Sequence, residues 1–211
     1  MVVFQDHVPV PADLLAASKE FIEKKFGSLK PELLAEDFKF RFPIVELDSK
    51  AEFVKAFGGF ELDSAFPDAD SQTVFYNFRL DPVNPRRVWV DTRFKGTHTG
   101  KFGQKGPFFY IKPTGKKVES PPQVLSFTFN ENLQVSLMTG GYVVDKNEGN
   151  TGGLGGVFGL MHAIGHTLPF PEAKPMRLSY RYRILRLFGK VVDYIKDTFF
   201  SSPAEPEKKL K

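Results

Sequence analysis

The sequence predicts an α+β domain followed by a separate basic amphipathic helix. Three observations carry that expectation. From Pro11 to Phe57 the apolar residues recur mainly at helical spacing, interrupted by one short alternating run. From Val74 to Val144 they alternate with period two. Beyond a Gly- and Pro-rich break, Leu185, Phe188, Val192, Ile195 and Phe199 step by three and four again. Helices first and antiparallel strands after them imply a curved antiparallel sheet capped by N-terminal helices, with a cavity between.

The elements follow in order. Leu14, Leu15, Phe21, Ile22 and Phe26 share a stripe between Pro11, which suits a first turn, and Gly27, which suits a stop. Residues 31–34 read as a short second helix. Phe38, Phe40 and Phe42 alternate with Lys39 and Arg41 in a strand closed by Pro43. Ser49 and Glu52 form a capping box for a third helix reaching Phe57, ended by Gly58-Gly59. Strands are expected at 74–80, 87–99, 108–112, 123–130 and 133–144, the last two joined by a tight hairpin at Asn130-Glu131-Asn132. The domain is expected over 1–168. A Pro-rich linker (Pro169, Pro171, Pro175) and the amphipathic helix follow over 169–200, then a disordered tail at 201–211.

Composition narrows the functions. There are 23 Phe residues in 211, which suits an aromatic core or an apolar pocket. The absence of Cys removes disulfides, thiolate metal sites and cysteine nucleophiles. No stretch approaches the roughly 20 apolar residues of a membrane span. The first ten residues lack the basic start of a signal peptide, so a cytoplasmic location is expected, or a plastid or other organelle if a transit peptide has been removed. From Arg177 to Lys211 there are nine Lys and Arg against four Asp and Glu, while the rest of the chain holds 20 against 21. Attraction to anions therefore belongs to the C-terminal segment.

Gly96-Thr97-His98-Thr99-Gly100, followed by Pro113-Thr114-Gly115-Lys116-Lys117-Val118, resembles the strand and turn signatures of SnoaL-like polyketide cyclases in the NTF2-like superfamily. The resemblance covers roughly Leu14 to Gly165 and implies a cone-shaped α+β fold. SnoaL-like cyclases close polycyclic ketides by aldol condensation, using an acidic residue near the end of the last strands and neither metal nor organic cofactor. Asp145 lies at about that position. The Thr139 to Val144 run, the long Gly-rich segment after it and the C-terminal helix depart from the family pattern.

The candidate residues each carry two readings. Period two places His98 on one strand face with Val88, Val90, Thr92, Phe94 and Gly96. There it serves either as an acid/base partner in an apolar cavity, with Phe94 against the ligand, or as a structural histidine bonded to backbone. Asp145 is either a proton carrier or an Asx-turn residue in Asp145-Lys146-Asn147-Glu148-Gly149. Tyr76 and Tyr142 either orient a carbonyl or pack as core. Asp37 and the pair Asp91 and Arg93 read as surface charges. The run Gly149 to Gly159 lacks the Gly-Lys-Ser/Thr ending of a phosphate loop. It reads instead as a close chain crossing, or as a lid, with Val157, Phe158, Leu160 and Met161 as an apolar plug. His162 and His166 have too few companions for a metal site.

Two functions remain open. One is a cone that binds a small hydrophobic, carbonyl-bearing molecule, with cofactor-free cyclase, isomerase or dehydratase chemistry. The other is a non-catalytic module whose cone is filled by its own Phe side chains. Such a module would dock through residues 177–200 to an anionic membrane surface or a protein partner. A homodimer through the exposed sheet face fits either, and no nucleic-acid motif is present.

Overall fold

In the computed structural model, which describes residues 8–59, 62–103 and 110–199, the chain divides into two units, Met1–Pro175 and Met176–Lys211. The expected tail at 201–211 lies outside the described residues.

The first unit opens with α1 (Ala12–Glu23), which buries Leu14, Ser18 and Phe21. The helix stops before the expected Phe26. Lys25, Phe26 and Gly27 take positive φ angles of 51°, 57° and 80°, which swing Phe26 out of the helix. Its ring then meets Phe21, Phe75 and Phe127 at centroid distances of 6.0, 6.2 and 6.2 Å. Left-handed geometry costs a non-glycine residue about 1–2 kcal/mol, and this packing offsets it.

The expected second helix is a single 3-10 turn, Pro31–Leu33, because β1 (Leu34–Arg41) starts immediately after it. After β2 (Glu46–Leu47) comes α2 (Lys50–Gly58). The Glu52 N–H donates to Ser49 Oγ at 3.2 Å, and Glu52 Oε2 accepts from the Asp48 N–H at 3.1 Å. Two single-turn helices, α3 (Leu62–Ala65) and α4 (Ala69–Gln72), were not expected, since four residues are too few to display a helical period.

The strands that follow are β3 (Val74–Leu80), β4 (Arg87–Arg93), β5 (Lys95–Thr97), β6 (Lys117–Glu119), β7 (Gln123–Phe129) and β8 (Val135–Val143). The large sheet has the order β2-β1-β8-β7-β4-β3, and β5 pairs with β6 separately. The sheet is mixed: β1 runs parallel to β8, with Phe40 opposite Met138. The strand expected over 87–99 divides at Phe94. There Ser120 captures the chain, its Oγ accepting from the Phe94 N–H and its N–H donating to the Phe94 carbonyl, each at 2.8 Å. Residues 108 and 109 of the strand expected at 108–112 lie outside the described residues, and Ile111 makes an isolated bridge to Phe102.

One face of the large sheet packs against α1 and α2. Phe21 meets Phe127 edge-on at 5.1 Å, and Phe53 meets Phe38 and Phe40 at 5.0 and 5.4 Å. These rings are fully buried, so among the described residues the protein's own Phe side chains occupy this layer. A second cluster gathers Phe66, Phe102, Ile111 and Val118 under α5 (Gly156–Ile164). The Pro-rich stretch read as a linker lies within the first unit up to Pro175. It contains a 3-10 turn, Pro171–Ala173, with Ala173 buried and the Phe170 ring 5.6 Å from that of Phe158.

The second unit contains α6 (Tyr180–Phe199), whose first turn is capped by Ser179: its Oγ accepts from the Tyr182 N–H at 3.2 Å.

Phe127→Ala should lower the unfolding free energy of the first unit by about 3–5 kcal/mol. Asp37→Ala, on the exposed side of β1, should stay within about 0.5 kcal/mol of the parent. Urea unfolding followed by circular dichroism measures both.

Candidate functional site: an apolar cleft and a buried histidine

An apolar cleft of about 250 Å³ opens where three chain segments meet: the β1–β2 turn, the end of β8 and the start of α5. Phe42, Ile44 and Val45 form one wall, Tyr142 and Val143 another, and Leu154, Val157 and Phe158 the third. Among the described residues that line it, Glu172 is the one that is charged. The volume falls below the ~300–1,000 Å³ of sites for drug-sized ligands, which bounds an occupant to a small molecule.

Two close approaches hold the walls together. Phe42 stacks on the buried Phe40 at 4.2 Å and 19°, which ties the cleft to the core. Its ring also lies over Gly141 (φ 77°), where a Cβ would sit 2.7 Å from a Phe42 ring carbon. At the other wall, Gly155 lies against the Gly141 carbonyl with no room for a side chain. The next residue, Gly156, donates its N–H to Oε1 of the buried Gln123 at 2.8 Å. The start of α5 is thereby pinned to β7. Of the two readings of the Gly-rich run, this packing is that of a close crossing.

His98 sits elsewhere, fully buried in the second cluster. Its ring lies 5.3 Å from Phe66 and 6.0 Å from Phe102, and Phe66 also meets Phe94 edge-on at 5.3 Å. Asp68 fixes the neighbouring strand residue, accepting from the Thr97 N–H and hydroxyl at 2.7 Å each. These bonds, the backbone one foremost, hold the Asp68 carboxyl below its usual range. The Thr114 N–H points at His98 Nδ1 at 3.3 Å, with Thr114 Oγ1 3.0 Å away. That pattern makes Nδ1 the acceptor and assigns the proton to Nε2. Nε2 is buried and has no hydrogen-bond partner among the described residues. Burial pushes the imidazole pKa below its ordinary value, and the charge of nearby His166 adds to the effect. His98 is therefore a neutral donor near pH 7.

The structure brings Phe94 and His98 together around Phe66 but not the other candidates. Asp145 forms the Asx turn, its Oδ1 accepting from the Asn147 N–H at 2.9 Å. Among the described residues no hydrogen bond joins it to His98. Tyr76, Asp91, Val124 and Tyr142 are successive register partners across β3, β4, β7 and β8, so both tyrosines share one sheet face. They are 40% and 55% exposed, which places them opposite the Phe-filled side, and Tyr142 reaches the cleft. Asp91 pairs with Arg79 at 2.8 Å, the expected surface cross-strand pattern. His162 lies on α5 and bonds Thr167 at 2.9 Å, whereas His166 follows the helix-ending Gly165. Among the described residues no three His, Asp or Glu side chains cluster as metal ligands. Phe42 and Leu154 were not singled out from sequence. The available signal was Gly140-Gly141 inside a strand, which marks a close approach.

A solved structure of another protein shares this fold. A protein from Jannaschia sp. CCS1 described as a SnoaL-like polyketide cyclase aligns with a TM-score of 0.50 and 19% identity, over 79% of this chain and 100% of its own. AclR from Streptomyces galilaeus, described as a hydroxylase, aligns with a TM-score of 0.49 and 18% identity, over 90% and 99%. A steroid delta-isomerase from Pseudomonas aeruginosa aligns at 0.39 and 12%, over 88% and 98%. No protein-family model and no curated protein matches the sequence. The chain thus adopts the NTF2-like fold in its SnoaL-like form, a mixed curved sheet with helices and a further helix, α6.

The neutral His98 sets a pH dependence. Its folded pKa lies below the unfolded value of 6.5, so the unfolded chain binds the proton first. Its contribution to stability is present above the unfolded value of about 6.5 and is lost as the pH falls from there through the lower folded value. The thermal midpoint should therefore drop as the pH falls below about 6.5. His98→Asn, which keeps a polar atom near Thr114, should flatten that slope.

Proposed function

We propose that the first unit binds a small apolar, carbonyl-bearing molecule in the cleft beneath Tyr142. The observation that carries this reading is an apolar cleft, its walls closely packed at Gly141 and Gly155, beside a helix–sheet layer filled by Phe side chains. Apolar walls supply the affinity, and the Tyr142 hydroxyl offers a donor for a carbonyl. Binding rather than turnover is the simpler function here. Asp145 is engaged in its turn, and it is not among the described residues that line the cleft. A basic amphipathic helix on the same chain is consistent with a protein that works at the membrane surface where apolar molecules partition.

The Nε2 of His98, which has no hydrogen-bond partner among the described residues, supports a second reading. A buried donor without a partner costs about 1–3 kcal/mol, and a carbonyl oxygen reaching it would relieve that cost. In this reading His98 polarises a ligand carbonyl in cofactor-free acid/base chemistry, with Phe94 and Phe66 forming the apolar surround.

Mass spectrometry of an organic extract from freshly purified, undigested protein tests the first reading. A stoichiometric apolar molecule is expected, and it should vanish in Val157→Trp, which fills the cleft. Retention of the molecule in Val157→Trp together with its loss in His98→Asn would transfer the site to His98. An empty extract, with no binding of apolar ketones in a fluorescence titration, would refute both. For a bound ketone, Tyr142→Phe should weaken affinity about three- to tenfold.

A further inference from the structure

We propose that α6 lies flat on an anionic membrane surface, with its apolar half sunk into the boundary between headgroups and acyl chains. The proposal stands on the second unit alone and does not depend on the cleft. At 3.6 residues per turn, Ile184, Leu185, Leu187, Phe188, Val191 and Ile195 fall within one arc covering about half of the helix surface. Arg183, Arg186, Lys190 and Lys196 occupy the other half, together with Asp193. Arg181 falls inside the apolar arc, but in the first turn, where a long stem can carry its charge out to water. Within its unit α6 is the sole described helix or strand, so no element of that unit covers the arc.

Three features select a lipid surface as the occupant. The arc is wider than the two-in-seven seam of a coiled coil, which argues against a single partner helix. The helix is sharply two-sided yet carries five basic residues, and no described helix is long and apolar enough to cross a membrane. Such a helix lies in the interface rather than spanning it. Positive charge is also concentrated on this unit, nine basic against four acidic residues from Arg177 onward. A complementary partner is therefore both negative and apolar. A nucleic acid lacks a matching apolar face, whereas an anionic bilayer presents both properties at the depth where such helices sit. Tyr194 borders the arc beside Arg183, a place that suits the headgroup level.

The test is co-sedimentation of the full chain with vesicles of phosphatidylcholine alone or mixed with phosphatidylserine. Binding is expected to the mixed vesicles only, and it should weaken at high salt. The triple variant Arg183→Glu, Arg186→Glu, Lys190→Glu should lose about a hundredfold or more in partitioning. The pair Leu185→Asp, Phe188→Asp should lose it as well. Both should keep the parent's thermal midpoint for the first unit, which separates lost docking from misfolding. A full chain that stays in solution with the mixed vesicles overturns the proposal. So does equal binding to both vesicle types, or an oligomer seen by light scattering that disperses in the Leu185 and Phe188 variant while vesicle binding is absent.

Discussion

The edge-on contact between Phe21 on α1 and Phe127 on β7 anchors the first unit, and much else depends on it. β7 lies inside the sheet between β8 and β4, so a ring standing on it meets whatever covers that face. Phe21 and the displaced Phe26 both meet it. Edge-to-face pairs add about 0.5–1.5 kcal/mol to the area that each ring buries. The left-handed turn at Lys25 and Phe26 exists to bring the second ring in. Once Phe38, Phe40 and Phe53 are added, the layer between helices and sheet is packed. The described cleft lies at the margin, where β1 ends, β8 ends and α5 begins.

That margin is shaped by backbone as much as by side chains. Gly141 lets Phe42 lie across β8, and Gly155 lets the start of α5 approach the Gly141 carbonyl. A side chain at either position would push two walls of the cleft apart. The break at Phe94 directs the chain into a second sheet and a second cluster, against which Val157 of the cleft also packs. His98 therefore continues the alternation of β4 in sequence but not its location. Val88 and Val90 face the Phe layer, whereas His98 faces Phe66 and Phe102. The alternation is intact and the core on its inner side changes.

Much of the fold was legible because periodicity reports which side of an element is buried. The α1 stripe, the Ser49–Glu52 cap, the strands at 74–80, 123–130 and 133–144, and the amphipathic α6 are all local patterns. The turn at Pro31, the single-turn helices and the split at Phe94 were not, since each is settled by a distant partner such as Ser120. The candidate site divides the same way. The turn string around Asp145 left an Asx turn and a proton carrier both open, and in the structure its Oδ1 accepts from the Asn147 N–H. Whether Tyr76 and Tyr142 faced a cavity depended on which side of the sheet the helices cover, and alternation alone does not say.

The sequence by itself therefore determined the class of the fold, the order of its main elements, the two-sided basic C-terminal helix and the absence of thiol chemistry. These follow from local spacing and composition. Only the tertiary structure decided that Phe rings fill the layer under the helices, that β1 runs parallel to β8, and that His98 and Tyr142 belong to different places. The reason is physical. Packing volume and strand pairing join residues about a hundred positions apart, as Phe21 and Phe127 are, and no local pattern encodes such a meeting.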